Sequence, residues 1–234
     1  MNNDILVGRE NELKIINDLI NNKRNILVFG QKGVGKTSVI LAVMGIIGQD
    51  KILYSSQSRT LKETLINLVF PAQAERARAK TMNVLTLKNK FYEVLTQNPR
   101  HVILDHLERV GPKYYSFLNC LIDKGIPIIV VSRGLTKEDI GHFRTLLFGF
   151  EKVEIRNLDK QTADELINCF IKEFGIKITK EGDFKKEIFS VSEGNPRIIK
   201  QLCFLARDVK YQSKGFVDIK LMDLDRRISE VVAE

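Results

Sequence analysis

Apolar positions along the chain fall into two kinds of segment. Short continuous runs read as buried strands, and runs spaced three or four apart read as helices. Leu13, Ile16, Leu19 and Ile20 have helical spacing and predict a helix over about Glu10 to Asn21. "NILVFG" (25–30) predicts a strand and "KTSVILAVMGIIG" (36–48) a helix. "DKILYSS" (50–56) predicts a second strand, followed by a helix through Leu61, Leu65 and Leu68. "PAQAERARAK" (71–80) is less regular, and Val84, Leu87, Phe91 and Val94 then mark another helix. "HVILD" (101–105) is a third strand and "IPIIVVS" (126–132) a fourth. Between them lies a helix with Pro112 in its first turn and Gly125 past its end. "KVEI" (152–155) is a shorter fifth strand. Residues 159–174, 180–191, 196–210 and about 218–232 then read as helices with no strand between them.

Five apolar strands alternating with helices predict an α/β domain, its mostly parallel sheet covered on both faces. The change of pattern predicts a boundary: an α/β domain over 1–155 and a small all-helical domain over 156–234. Neither an internal repeat nor a low-complexity segment interrupts this order.

The 234 residues are 44% hydrophobic, which suits a domain with a small companion and a real core. No apolar run approaches the roughly 20 residues of a membrane span, and "MNNDILVGRE" lacks the apolar centre of a signal peptide. A cytoplasmic protein without membrane attachment is expected. Cys120, Cys169 and Cys203 fit neither a disulfide framework nor metal-ligand spacing, so packing is their expected role. The net charge of +8 suits a polyanionic partner and equally a solvated lysine-rich surface.

Chemistry enters at "GQKGVGKT" (30–37), which matches G-x-x-x-x-G-K-[ST] between a predicted strand and a predicted helix. Gly30, Gly33 and Gly35 let the backbone curl so that its N–H groups face phosphate oxygens, with Val34 carried between them. The helix that begins near Lys36 adds its positive end, and Ser38 sits in its first turn. Lys36 reaches the β- and γ-phosphates, and the Thr37 hydroxyl ligates Mg²⁺. A second metal contact is expected from a carboxylate on a neighbouring strand, and Asp105 ends the third one. His106 follows where many such enzymes carry a glutamate. A neutral imidazole can serve as a general base. In an extended segment Glu108 points to the same side and is a second candidate. His106 can equally line the site without catalysing anything.

"VGRENEL" (7–13), the phosphate loop, "VILD", "IIVVSR" (128–133) and "SEGNPRII" (192–199) stand in the order seen in AAA+ and STAND-type P-loop ATPases. The chain resembles the clade of origin-recognition, archaeal STAND and transposon target-selection ATPases over almost its whole length. The resemblance implies ATP and Mg²⁺ as ligands and a helical lid over the nucleotide. It implies that Val7 and Gly8 lie against the adenine, with Arg9 and Glu10 starting the helix behind it. Ser132 and Arg133 match the sensor position that reports the γ-phosphate. "GNPR" matches the lid turn, where Pro196 or Arg197 touches the nucleotide. Asn195 as a cap and Pro196 at a first helical position also explain that turn structurally. Arg144 stands near the position of an arginine inserted into a neighbouring subunit's site, which implies a homo-oligomer on ATP binding. An N-K-x-D motif for guanine is absent, so adenine is preferred.

In the DNA-binding relatives this inter-strand region tracks the phosphate backbone, which makes Arg76, Arg78 and Lys80 candidate contacts to double-stranded DNA, and equally a solvated charged helix or loop. If extended they form one row, and if helical Arg78 leaves the face of the other two. The stretch after Val209 is too short for the winged-helix domain of many origin-recognition relatives, so DNA would be bound by the ATPase core, through a protein partner, or not at all. These readings combine into an ATPase whose nucleotide state controls oligomer, partner or DNA binding, in replication or mobile-element processes. The competing readings are a low-turnover switch without DNA binding and, further off, a phosphotransferase.

Overall fold

The computed structural model describes residues 6–97, 100–213 and 216–233. Residues 1–5, part of the segment read for a signal peptide, and Glu234 lie outside them. The chain forms two compact units. One comprises 10–32 and 36–155. The other comprises the chain from Arg156 onward, together with residues up to Arg9 and the loop tip Gly33–Gly35.

The α/β unit is built on five strands: β1 (Asn25–Phe29), β2 (Ile52–Ser55), β3 (His101–Leu104), β4 (Ile128–Ser132) and β5 (Phe150–Glu154). They pair in the order β2-β3-β4-β1-β5, and every pairing is parallel. β4 is buried along its whole length, as expected of a parallel strand covered on both faces. β5 lies at an edge, and Glu151, Lys152 and Glu154 break its apolar run. The strand therefore starts two residues earlier than its apolar pattern suggests. β4 starts later than expected, after Pro127, which has no N–H to donate.

Helix Lys36–Ile47 follows β1, and helices Leu61–Val69, Gln73–Ala79 and Val84–Gln97 fill the crossover from β2 to β3. The second of these replaces the irregular segment expected at 71–80. Its three alanines favour a helix, and Ala79 buries completely. Phe91 and Phe117 meet edge to face, with ring centroids 5.5 Å apart, in the core that also holds Leu65, Leu87, Leu104 and Leu121.

The other unit contains helices Lys160–Phe174, Glu181–Ser192, Pro196–Leu205 and Ile219–Ala233, packed around Leu166, Ile167, Ile188, Leu202 and Cys203. Burial pushes the Cys203 thiol up to about 12, consistent with a packing role. The third helix stops at Leu205 rather than near 210. Asp208 accepts from Lys210 N at 3.0 Å and caps a separate 3₁₀ turn, Val209–Tyr211. A two-residue antiparallel ladder follows, Gln212–Ser213 with Phe216–Val217. This corrects the expectation of a purely helical companion: the ladder interrupts the helices.

Local signals set the turns here. The Asp159 side chain accepts from Thr162 N at 2.8 Å and caps the first helix. The second helix ends in left-handed Glu193, followed by Gly194 at φ +78. A Cβ on Gly194 would collide with the Leu158 carbonyl, and Leu158 N donates to Gly194 O at 2.9 Å. Glycine is required at that contact by both conformation and space. Asn195 then accepts from Arg197 N at 3.1 Å and from Ile198 N at 3.4 Å, with Pro196 at the first helical position. Among the described residues, no helix is long and apolar enough to cross a membrane.

Candidate functional site

β1 ends at Phe29, the next helix begins at Lys36, and the phosphate loop spans the interval. Gly33 sits at φ +92, and a Cβ there would crowd Asn195 Oδ1 at 2.5 Å and Arg197 Cβ at 2.9 Å. Arg197 N also donates to Gly33 O at 3.2 Å. A Cβ at Gly35 would meet nothing within 4 Å, so space lies open over that part of the loop. Lys36 Nζ folds back to donate to Gly30 O at 2.7 Å and Gln31 O at 2.8 Å. Burial lowers the Lys36 pKa, the Asp105 carboxylate opposes that shift, and the Arg133 guanidinium adds to it. Both groups therefore lie within electrostatic reach of the lysine.

Asp105 stands just past the end of β3 and is fully buried. Three donors hold it. Thr37 Oγ1 donates to Oδ2 at 2.9 Å, and Tyr54 OH donates to the same oxygen at 3.1 Å. His106 N donates to Oδ1 at 2.8 Å. The loop, the carboxylate and a tyrosine of β2 thus meet at the carboxyl ends of the strands, where open α/β sheets bind ligands.

The two candidate bases do not occupy an extended segment. The chain turns at 105–106, with His106 exposed at φ +54 and Arg109 at φ +43. The strand alternation that put Glu108 beside His106 is therefore corrected: the turn breaks it. Glu108 pairs with Arg59 at 3.9 Å. Leu107 N donates to Val131 O at 3.0 Å, and Arg109 N donates to Asp139 O at 3.0 Å. Val110 N donates to Ile140 O at 3.2 Å, Val110 and Gly141 form a parallel bridge, and His142 N donates to Val110 O at 2.9 Å. The loops that follow β3 and β4 are stitched together beyond the site.

Ser132 ends β4 with its hydroxyl donating to Gly134 O at 2.8 Å, so the serine shapes the loop that carries exposed Arg133. In the helical unit, Val7 packs on the core and Gly8 lies against Thr162. Arg9 is buried, and its Nη2 donates to Val34 O at 2.9 Å and Arg156 O at 2.7 Å. It therefore clamps the phosphate loop as well as preceding the helix at Glu10, a role its sequence position alone did not signal. Ser38 is half-buried in the first turn after the loop, and Pro196 is half-buried. Arg197 is exposed and reaches Glu230 at 3.8 Å. Arg144 lies exposed on the 3₁₀ segment His142–Gly149.

The three candidate DNA contacts do not form an extended row, since Arg76 and Arg78 lie on a helix and Lys80 follows it. Arg76 turns back on its own chain, Nε to Phe70 O at 2.8 Å and Nη2 to Pro71 O at 3.0 Å, while Arg78 and Lys80 are exposed. Like the Arg9 clamp, the Tyr54 contact has no signal in the sequence. Its strand was legible, but that β2 lies beside β3 is a fact of strand order, which apolar runs do not encode.

The donor set fits a magnesium nucleotide. A hydroxyl and a carboxylate are hard oxygen ligands, and a lysine and open loop backbone suit phosphate. No protein-family model matches the chain, and no curated protein matches it by sequence. Among solved structures it is similar to a Walker-type ATPase of Pyrococcus abyssi, with TM-score 0.62 and 14% identity over 97% of this chain and 76% of that one. At that identity the likeness is one of fold, and with the strand order and the loop it shows that this chain has the fold of a P-loop NTPase joined to a mainly helical unit.

Proposed function

We propose that the chain binds ATP with Mg²⁺ and hydrolyses it to ADP and phosphate. The observation that carries this reading is the Thr37 Oγ1–Asp105 Oδ2 hydrogen bond, 2.9 Å long, beside Lys36 and the open loop. Lys36 would leave the carbonyls of Gly30 and Gln31 for the β- and γ-phosphates, and loop N–H groups from Gly33 to Ser38 would hold the remaining oxygens. Thr37 and Asp105 would hold Mg²⁺, which when bound supplies charge neutralisation on the phosphates. Arg133 adds positive charge where negative charge accumulates during attack by water.

The finer reading is an AAA+/STAND-like switch of the origin-recognition, archaeal STAND and transposon target-selection type, one that forms homo-oligomers on ATP binding and uses Arg144 in the neighbouring site. Val7 and Gly8 would face the adenine, and Pro196 or Arg197 the phosphates. Double-stranded DNA or a protein partner would read the nucleotide state, with Arg78 and Lys80 as the DNA contacts. Arg76 contributes less, because its guanidinium already bonds two carbonyls.

A second reading, a low-turnover switch without DNA binding, is favoured by one observation. The His106 side chain stands exposed in a left-handed turn, and Glu108 pairs with Arg59 rather than with the phosphate loop.

The deciding experiment measures ATP binding and turnover for the native chain and for Lys36→Ala, with and without duplex DNA. Binding and turnover that Lys36→Ala abolishes support the ATPase, and stimulation by DNA supports the first finer reading. Tight binding with negligible turnover and no response to DNA supports the second. Turnover unaffected by Lys36→Ala overturns both.

A further inference from the structure

We propose that Tyr54 is a positioning residue for the metal carboxylate, its hydroxyl holding Asp105 Oδ2 toward Thr37 so that the pair is pre-set for Mg²⁺. This rests on the magnesium-nucleotide reading above and deepens it, since Tyr54 belongs to none of the motifs.

The geometry is specific. Tyr54 lies on β2, one strand away from Asp105, in register with Ile103. Its hydroxyl crosses to the carboxylate at 3.1 Å, and the oxygen it reaches also accepts from Thr37. The other carboxylate oxygen is held by the backbone at His106. Donors on both oxygens fix the rotation of the carboxylate, and Asp105 has no exposed surface.

Without Tyr54, Oδ2 would keep only the threonine, the same group that must present its oxygen to the metal. The tyrosine therefore separates two duties. It holds the carboxylate in place, and Thr37 is left to turn its lone pairs outward while its proton stays on Oδ2. Orienting partners of metal ligands commonly change metal affinity by about 10–100-fold.

The test is a titration of a fluorescent ADP analogue at graded Mg²⁺, with an EDTA series for metal-free binding. Tyr54→Phe is expected to raise the half-saturating Mg²⁺ about tenfold, with nucleotide affinity in EDTA unchanged. In an Asp105→Ala background the same substitution should add nothing, because the carboxylate it orients is gone. If Tyr54→Phe folds poorly, Tyr54→Met removes the hydroxyl while keeping apolar bulk and should give the same shift. A half-saturating Mg²⁺ equal to that of the native chain overturns the proposal and leaves the ATPase reading standing. A parallel loss in EDTA also overturns it, because it marks a merely structural role. Native protein whose nucleotide affinity ignores Mg²⁺ overturns the proposal together with the magnesium reading it rests on.

Discussion

The two units hold their functional turns in opposite ways. In the α/β unit the groups that meet are remote in the chain: Thr37 and Asp105 are 68 residues apart, and Tyr54 and Asp105 are 51 apart. In the helical unit the caps are nearby, Asp159 to Thr162 and Asn195 to Arg197 and Ile198. A short motif can therefore announce the caps of the helical unit. In the α/β unit it announces one partner and leaves the others to strand order.

The sharpest way to break this contrast is Gly194→Ala. The new methyl group would meet the Leu158 carbonyl at a left-handed φ, so a loss on the order of 3 kcal/mol is expected in denaturant unfolding followed by circular dichroism. An unchanged midpoint would mean that the turn yields easily and that the glycine is not what shapes it. Asn195→Ala should cost less, about 1 kcal/mol, because it removes a helix cap and leaves Pro196 in place. A cost much below that would make the proline the main determinant of the turn.

The smallest effect belongs to the α/β unit and is a matter of pH. Burial lowers the His101 pKa, the Ile20 carbonyl opposes this, and the Lys23 charge adds to it. The unfolded chain therefore takes up the proton first as pH falls below about 6.5. The sign follows: stability due to His101 is fully present above that value and is lost as pH falls toward the lowered native pKa. His101→Gln should flatten the stability difference between pH 7.5 and about 5.5. Equal slopes in urea midpoints would remove His101 from the account.

The strands of the α/β unit were legible because buried parallel strands are continuous apolar runs. The phosphate loop was legible because its spacing is tied to one backbone shape. The "GNPR" turn was legible as a cap and a proline. Other features had no such signature. Gln73–Ala79 folds as a helix from alanines that show little amphipathic pattern. Arg76 looked like a free surface cation until its guanidinium was seen on the carbonyls of Phe70 and Pro71. His106 sat in a stretch that read as extended, yet the chain turns as soon as β3 ends. Arg9 and Tyr54 act across distances in the chain that no local window spans.

The bridge between Val110 and Gly141 has a mechanical consequence. Strand pairing before the site and this bridge after it pin the loops of Asp105 and Arg133 at both ends, like two stitches on either side of a buttonhole. The loops between the stitches are thus linked at both ends by backbone hydrogen bonds. A methyl group at Gly141 would press on the Val110 backbone and force that second stitch apart.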